Sequence, residues 1–213
     1  MMYIENIFLL VATPLVACLF CVRGRPRLIA AALLAGMTCC LLSAYVNAFI
    51  AGIVGADEVR AAVEVAPVVE EVVKLFPLLF FLLLFAPTLE DVDLAFIFLA
   101  VGFATMESAF YLAGNGVDAP DVLALRGLSA AMMHLACGMM MAFGMTRVWP
   151  QMWLRITGTV GVLSLCIAYH GLYNLLIAAG GVVHTVALAV PLLTLVAILA
   201  ARRRANPIAQ HAE

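Results

Sequence analysis

Six ionisable side chains stand where the surrounding sequence is almost wholly apolar. Glu70, Glu71 and Lys74 lie within Ala66-Pro-Val-Val-Glu-Glu-Val-Val-Lys-Leu-Phe-Pro77. Glu107 lies within Gly102-Phe-Ala-Thr-Met-Glu-Ser-Ala-Phe-Tyr111, His134 further on, and His170 in His170-Gly-Leu-Tyr-Asn174. A carboxylate in a water-poor pocket can act as general base on water, and neighbouring carboxylates can divide into base and acid. Glu and His are also zinc ligands, and a bound zinc ion lowers the pKa of its water to about 7. Asn174 or a histidine could hydrogen-bond an oxyanion. The same residue types also build proton and ion pathways, so spacing leaves hydrolysis and translocation both open. No His-Glu-x-x-His motif is present, which rules out a standard zincin.

The elements that carry these residues follow from composition. Of 213 residues, 66% are hydrophobic and 11% charged. A soluble chain has roughly 45–50% apolar and about 25% charged residues. Too little polar surface remains to face water, so the chain reads as an all-α, polytopic transmembrane bundle. A nucleic-acid-binding domain, a disordered chain and a secreted disulfide scaffold are excluded. Seven apolar runs approach the roughly 20 residues that a bilayer demands: 4–22, 28–53, 63–85, 94–113, 122–145, 156–178 and 182–201. The whole of 1–213 reads as one transmembrane domain, with a catalytic core at about 63–178.

Arg23, Arg25, Arg27, Arg147, Arg155, Arg202, Arg203 and Arg204 fall on one side if seven spans alternate. The positive-inside rule then places the N-terminus outside and the C-terminus in the cytoplasm. The leading segment holds Glu5 and no basic residue, so the first span is expected to be retained rather than cleaved. Cys18, Cys21, Cys39, Cys40, Cys137 and Cys166 all fall in spans and read as small hydrophobes, Cys18-x-x-Cys21 included.

An ionisable group at the bilayer centre costs on the order of 2.5–3.5 kcal/mol, so four left unpaired would cost roughly 10 kcal/mol. They must therefore meet one another, water or a metal. Residues three or four apart share a helix face. Glu70 and Lys74 share one, Phe103, Glu107 and Tyr111 another, and His170 and Asn174 a third. With the orientation above, Glu70, Glu71, Glu107, His134 and His170 all fall at similar depth, nearer the outside. That agreement predicts a single site.

These residues resemble the PrsW family of intramembrane proteases. The likeness rests on Pro67-Val-Val-Glu-Glu-Val-Val-Lys74, Gly102-Phe-Ala-Thr-Met-Glu107 with Tyr111, Arg126 shortly before His134, and His170-Gly-Leu-Tyr-Asn174. The order and spacing of the four elements match across about 63–178. The family is distantly similar to the CAAX prenyl endopeptidase and bacteriocin-processing enzymes. Those have histidine four residues after the phenylalanine, where this chain has Glu107 after Phe103.

The resemblance implies an endopeptidase that cuts a membrane-anchored protein near the extracytoplasmic face, with an anti-sigma factor as the family's type of substrate. It implies Glu70, Glu71 and His170 as catalytic residues, completed by Glu107, His134 and Asn174, with Glu70 or Glu71 activating water. Glu71, Glu107, His134 and His170 are the ligand candidates if a metal such as zinc is bound, and metal-free carboxylate chemistry is the preferred expectation. The partners implied are a membrane-anchored protein substrate and the lipid bilayer, with no nucleic acid and no small-molecule cofactor. The location implied is a bacterial plasma membrane. A proton-coupled transporter or channel is the alternative, and a silent scaffold the third.

Plainer roles stand beside these. Lys74 is expected to neutralise Glu70 or Glu71. Asn174 is balanced between chemistry and a helix-to-helix hydrogen bond. Arg126 is expected to be an interfacial anchor, and Arg202–Arg204 a topology and headgroup signal. Met139–Met141 are expected to face lipid or pack. His184 and His211, in a loop and a tail, are expected to be inert.

Overall fold

The computed structural model describes residues 4–115 and 120–205. All of its regular structure is helical: α1 Ile4–Cys21, α2 Arg25–Val54, the single turn α3 Glu58–Arg60, a π-helical segment Ala61–Val65, α4 Ala66–Phe85, α5 Leu89–Asn115, α6 Pro120–Val148, a 3-10 turn Met152–Leu154, α7 Arg155–Ala178 and α8 Gly181–Ala205. Helices are what a bilayer requires, because each backbone amide must find its partner inside its own segment.

Among the described residues, six helices (α1, α2, α5, α6, α7 and α8) are long and apolar enough to cross a membrane. The protein is thus a multi-pass membrane protein. The third expected span forms α4, 20 residues long and carrying Glu70, Glu71 and Lys74. It runs on from the π segment without a break. Several helices extend past the expected spans: α2 begins at Arg25, α5 at Leu89, and α6 ends at Val148. His184, expected in a loop, lies in the first turn of α8 with its Nδ1 3.0 Å from the Ile177 carbonyl. The short Gly180–Gly181 link, both residues at positive φ, lets α8 start that early. His211 falls outside the described residues.

The centre of the bundle is α5, packed against α2 and α6. Gly36 and Gly102 set the α2–α5 approach. A Cβ on Gly36 would lie 2.0 Å from the Leu99 carbonyl oxygen, and one on Gly102 2.1 Å from that of Leu33. Small residues at such crossings are how membrane helices gain packing contacts. Leu75, Leu78, Phe96, Leu99, Met133, Met141, Met145 and Cys166 fill the core on the α6–α7 side. Met37, Cys39, Cys40, Val69, Val73 and Phe103 fill it on the α2 side. Met139 and Met141 are buried, so they pack. All six cysteines are free. Helix α1 is peripheral, with Ala12 its buried residue.

Ion pairs join the helix ends at one pole. Arg25 pairs with Glu90 and approaches Asp91 at 3.6 Å, and Arg202 pairs with Asp93. The start of α2, the start of α5 and the end of α8 therefore lie together.

Candidate active site

The π segment prepares the entrance to α4. The Ala66 amide donates to the Ala61 carbonyl, five residues back. In that register the Ala62 carbonyl would be served by residue 67, which is proline and has no N–H. The orphaned oxygen is satisfied from α7: Asn174 Nδ2 donates to it at 2.9 Å. Asn174 thus ties α7 to the start of α4 through one of its two amide N–H groups. Such π turns recur at functional sites.

One turn further along α4, the acidic pair divides. Adjacent helical residues point about 100° apart, so Glu70 and Glu71 meet different partners. Glu71 is buried and its Oε1 lies 2.5 Å from Lys74 Nζ and 2.9 Å from His170 Nδ1. Lys74 therefore neutralises Glu71. Its ammonium also lies 3.1 Å from His134 Nδ1 and 4.6 Å from the Phe103 ring centroid, a cation–π contact.

These contacts fix the two imidazoles. An ammonium has donors only, so His134 Nδ1 accepts and Nε2 carries the proton. That Nε2 lies 2.7 Å from Glu107 Oε2 and donates to it. Glu71 accepts from Lys74 and from His170 Nδ1, which leaves the His170 Nε2 lone pair free. That lone pair faces Glu70 Oε2 at 3.9 Å. The two rings stand edge-on, with centroids 5.0 Å apart.

Glu70 is the unsatisfied member. Its Oε1 accepts from Asn47 Nδ2 at 3.2 Å, whereas its Oε2 is buried with no hydrogen-bond partner. A carboxylate oxygen facing an imidazole lone pair calls for a proton or a cation between them. Glu70, His134 and His170 each offer one ligand atom, and these lie within 4.8 Å of one another. Ligands of a tetrahedral ion with bonds of about 2.0–2.1 Å stand about 3.3 Å apart, so small inward movements would close the set. The Glu71–His170 bond is the outer carboxylate contact that metal-bound histidines commonly have. The donors present therefore fit a divalent metal ion. Glu70 belongs to this set, and Glu71, expected among the ligands, is instead held by Lys74 and His170.

Beside the cluster lies a cavity of about 390 Å³, lined among others by Glu70, Glu107, Ser108, Tyr111, Arg126, Tyr173, Asn174 and His184. It sits at the pole opposite the Arg25–Glu90 and Arg202–Asp93 pairs. Glu107, with a side chain 38% exposed, connects the buried histidines to it. Arg126 does more than anchor: its Nη1 donates to the Tyr111 hydroxyl at 2.6 Å, and its guanidinium stacks 4.2 Å from that ring. Asn47 was missed by sequence reasoning. The available signal was a lone amide inside the 30-residue apolar helix α2.

Fold and site together define a class: a polytopic helical membrane protein with a buried Glu/His centre bordered by a cavity. A family model described as PrsW family intramembrane metalloprotease matches residues 24–201, and the chain belongs to that family. Neither a curated protein nor a solved structure matches it. The protein is thus an intramembrane protease, a hydrolase acting on membrane protein in a lipid environment. Family membership decides between hydrolysis and translocation, and its description includes a metal where metal-free chemistry was the expectation.

Proposed function

We propose that the protein is a metal-dependent endopeptidase in which Glu70, His134 and His170 hold the ion and Glu107 handles the proton. The observation that carries this is Glu70 Oε2, buried, without a donor, and facing the His170 lone pair. A bound divalent ion would supply Lewis acidity, polarising a carbonyl and lowering the pKa of water toward about 7. Glu71 keeps the His170 Nε2 lone pair turned inward. Lys74 holds His134 with Nδ1 as acceptor, and ligation through Nε2 would displace that proton by way of Glu107 to the cavity that Glu107 lines, leaving Glu107 as the carboxylate. Glu107 then has a position from which to take a proton from attacking water and return it to the leaving amide nitrogen, as the peptide C–N bond breaks. In this reading Glu107, rather than Glu70 or Glu71, is the base.

The bundle has seven spans in this reading, α4 included, with the N-terminus outside and the C-terminus cytoplasmic. The arginine-rich pole is cytoplasmic and the cavity opens outward, so the cut falls near the extracytoplasmic face of a bacterial plasma membrane. The substrate is a membrane-anchored protein, of the anti-sigma-factor type by family resemblance. Cleavage of a labelled single-span peptide in proteoliposomes tests this. Wild type should release fragments cut near the outer face, whereas Glu107→Gln and His170→Ala should release almost none. Equal fragment yield from all three would contradict it.

A further inference from the structure

At the pole opposite the active site, a second cavity, of about 240 Å³, opens between α5, α6 and α8, lined by Leu89, Asp93, Phe143, Thr146, Arg147 and Arg202. On a comparable measure a single water needs only about 10–15 Å³, so this is room for a chemical group. Its charges do not cancel. Arg202 pairs with Asp93, while Arg147 has no carboxylate partner among the described residues. Arg147 is nevertheless held in place: Nη1 donates to the Phe143 carbonyl at 2.8 Å, and its guanidinium carbon stacks 3.4 Å from the Phe143 ring centroid. That bond uses one of five N–H donors, in a planar fork suited to phosphate oxygens. Asp93 adds the opposite demand. Its Oδ2 serves Arg202, and its Oδ1 is buried with no hydrogen-bond partner. The cavity thus offers guanidinium donors for an anion and, beside them, an acceptor lacking a donor.

We propose that this cavity binds a phosphate group that carries a neighbouring ammonium or hydroxyl. The phosphate sits against Arg147 and Arg202, and the ammonium or hydroxyl donates to Asp93 Oδ1. Phosphatidylethanolamine and phosphatidylglycerol have this chemistry. Phosphatidylcholine has the phosphate without the donor. The cavity lies at the helix ends, where headgroups lie, and its rim residue Leu89 is exposed as an acyl chain would require, so a lipid is favoured over a soluble phosphate. Basic pockets between spans commonly hold lipid headgroups. The inference needs no part of the catalytic reading.

The test is native mass spectrometry of the full-length protein released from nanodiscs of defined composition. Phosphatidylethanolamine or phosphatidylglycerol should be retained over phosphatidylcholine by about tenfold, the worth of one hydrogen bond to a charged group. Arg147→Gln keeps the Arg202–Asp93 pair and should lose the retained lipid. Arg203→Gln removes the same charge from a neighbouring position outside this cavity and should keep it. A parallel arm challenges the delipidated protein with inorganic phosphate. Equal retention of phosphatidylcholine, or retention unchanged by Arg147→Gln, would overturn the proposal. Saturable binding of inorganic phosphate with no phospholipid retained would overturn the lipid reading.

Discussion

Glu71 Oε1 lies 2.9 Å from His170 Nδ1, and that contact turns the other imidazole nitrogen toward Glu70. The two glutamates are neighbours in sequence with separate duties: one orients a histidine, and the other stands open toward it. The following outcomes depend on that division.

Replacing Glu71 by Gln removes the charge that balances buried Lys74. Breaking a buried pair from one side costs about 3–5 kcal/mol, so the variant should melt far below wild type in detergent. Adding Lys74→Met should recover most of the melting temperature. Cleavage should remain at least about 10-fold down, because His170 has lost its orienting carboxylate. Recovery of both together would show that Glu71 serves folding alone.

Glu107→Gln should behave differently. Its side chain borders the cavity and balances no buried lysine, so the melting temperature should move little. Peptide cleavage should drop by about 10²–10⁴-fold, the usual contribution of a general base. A fragment-release assay beside a thermal melt separates these effects, and near-wild-type turnover would remove Glu107 from the proton path.

Asn47 steadies Glu70 from α2 through its 3.2 Å hydrogen bond. A hydrogen bond to a charged group contributes about 1.5–3 kcal/mol, so Asn47→Ala should lower kcat roughly 10- to 100-fold. KM should change little, since Asn47 is not among the residues lining the 390 Å³ cavity. Steady-state kinetics on a labelled peptide gives the split. A change confined to KM would place Asn47 in substrate binding instead.

The α2–α5 crossing packs together the helix that carries Asn47 and the helix that carries Glu107. Gly36→Ala puts a Cβ 2.0 Å from a carbonyl oxygen, whereas Gly52→Ala on the same helix meets open space. Overpacking of this kind costs about 1–3 kcal/mol. Thermal unfolding in detergent should show a clear loss for Gly36→Ala and none for Gly52→Ala. Equal melting curves would mean that the crossing relaxes freely.

Much of the site was legible because charge is costly in an apolar helix. Glu70, Glu71, Glu107, His134 and His170 stood out against their spans, and the structure brings all five together. Lys74 was assigned its neutralising part on the same ground. The division between Glu70 and Glu71 was hidden, because only the placement of α6 and α7 decides which acid meets lysine. The tie from Asn174 to Ala62 was hidden too, since it depends on a π turn upstream of Pro67. His184, expected in a loop, instead lies in the first turn of α8, which starts at Gly181. Asn47 gave a weak signal: an amide in a membrane helix is as often glue between helices as part of a site.

Elemental analysis of purified, cleavage-competent protein tests the central claim most directly. The account predicts about one divalent transition-metal ion per chain in the wild type, following the three-residue ligand set. It predicts loss of that ion in Glu70→Gln and His170→Ala, and retention in Asn174→Ala. Wild-type protein that cleaves its substrate at full rate with no stoichiometric metal would contradict it.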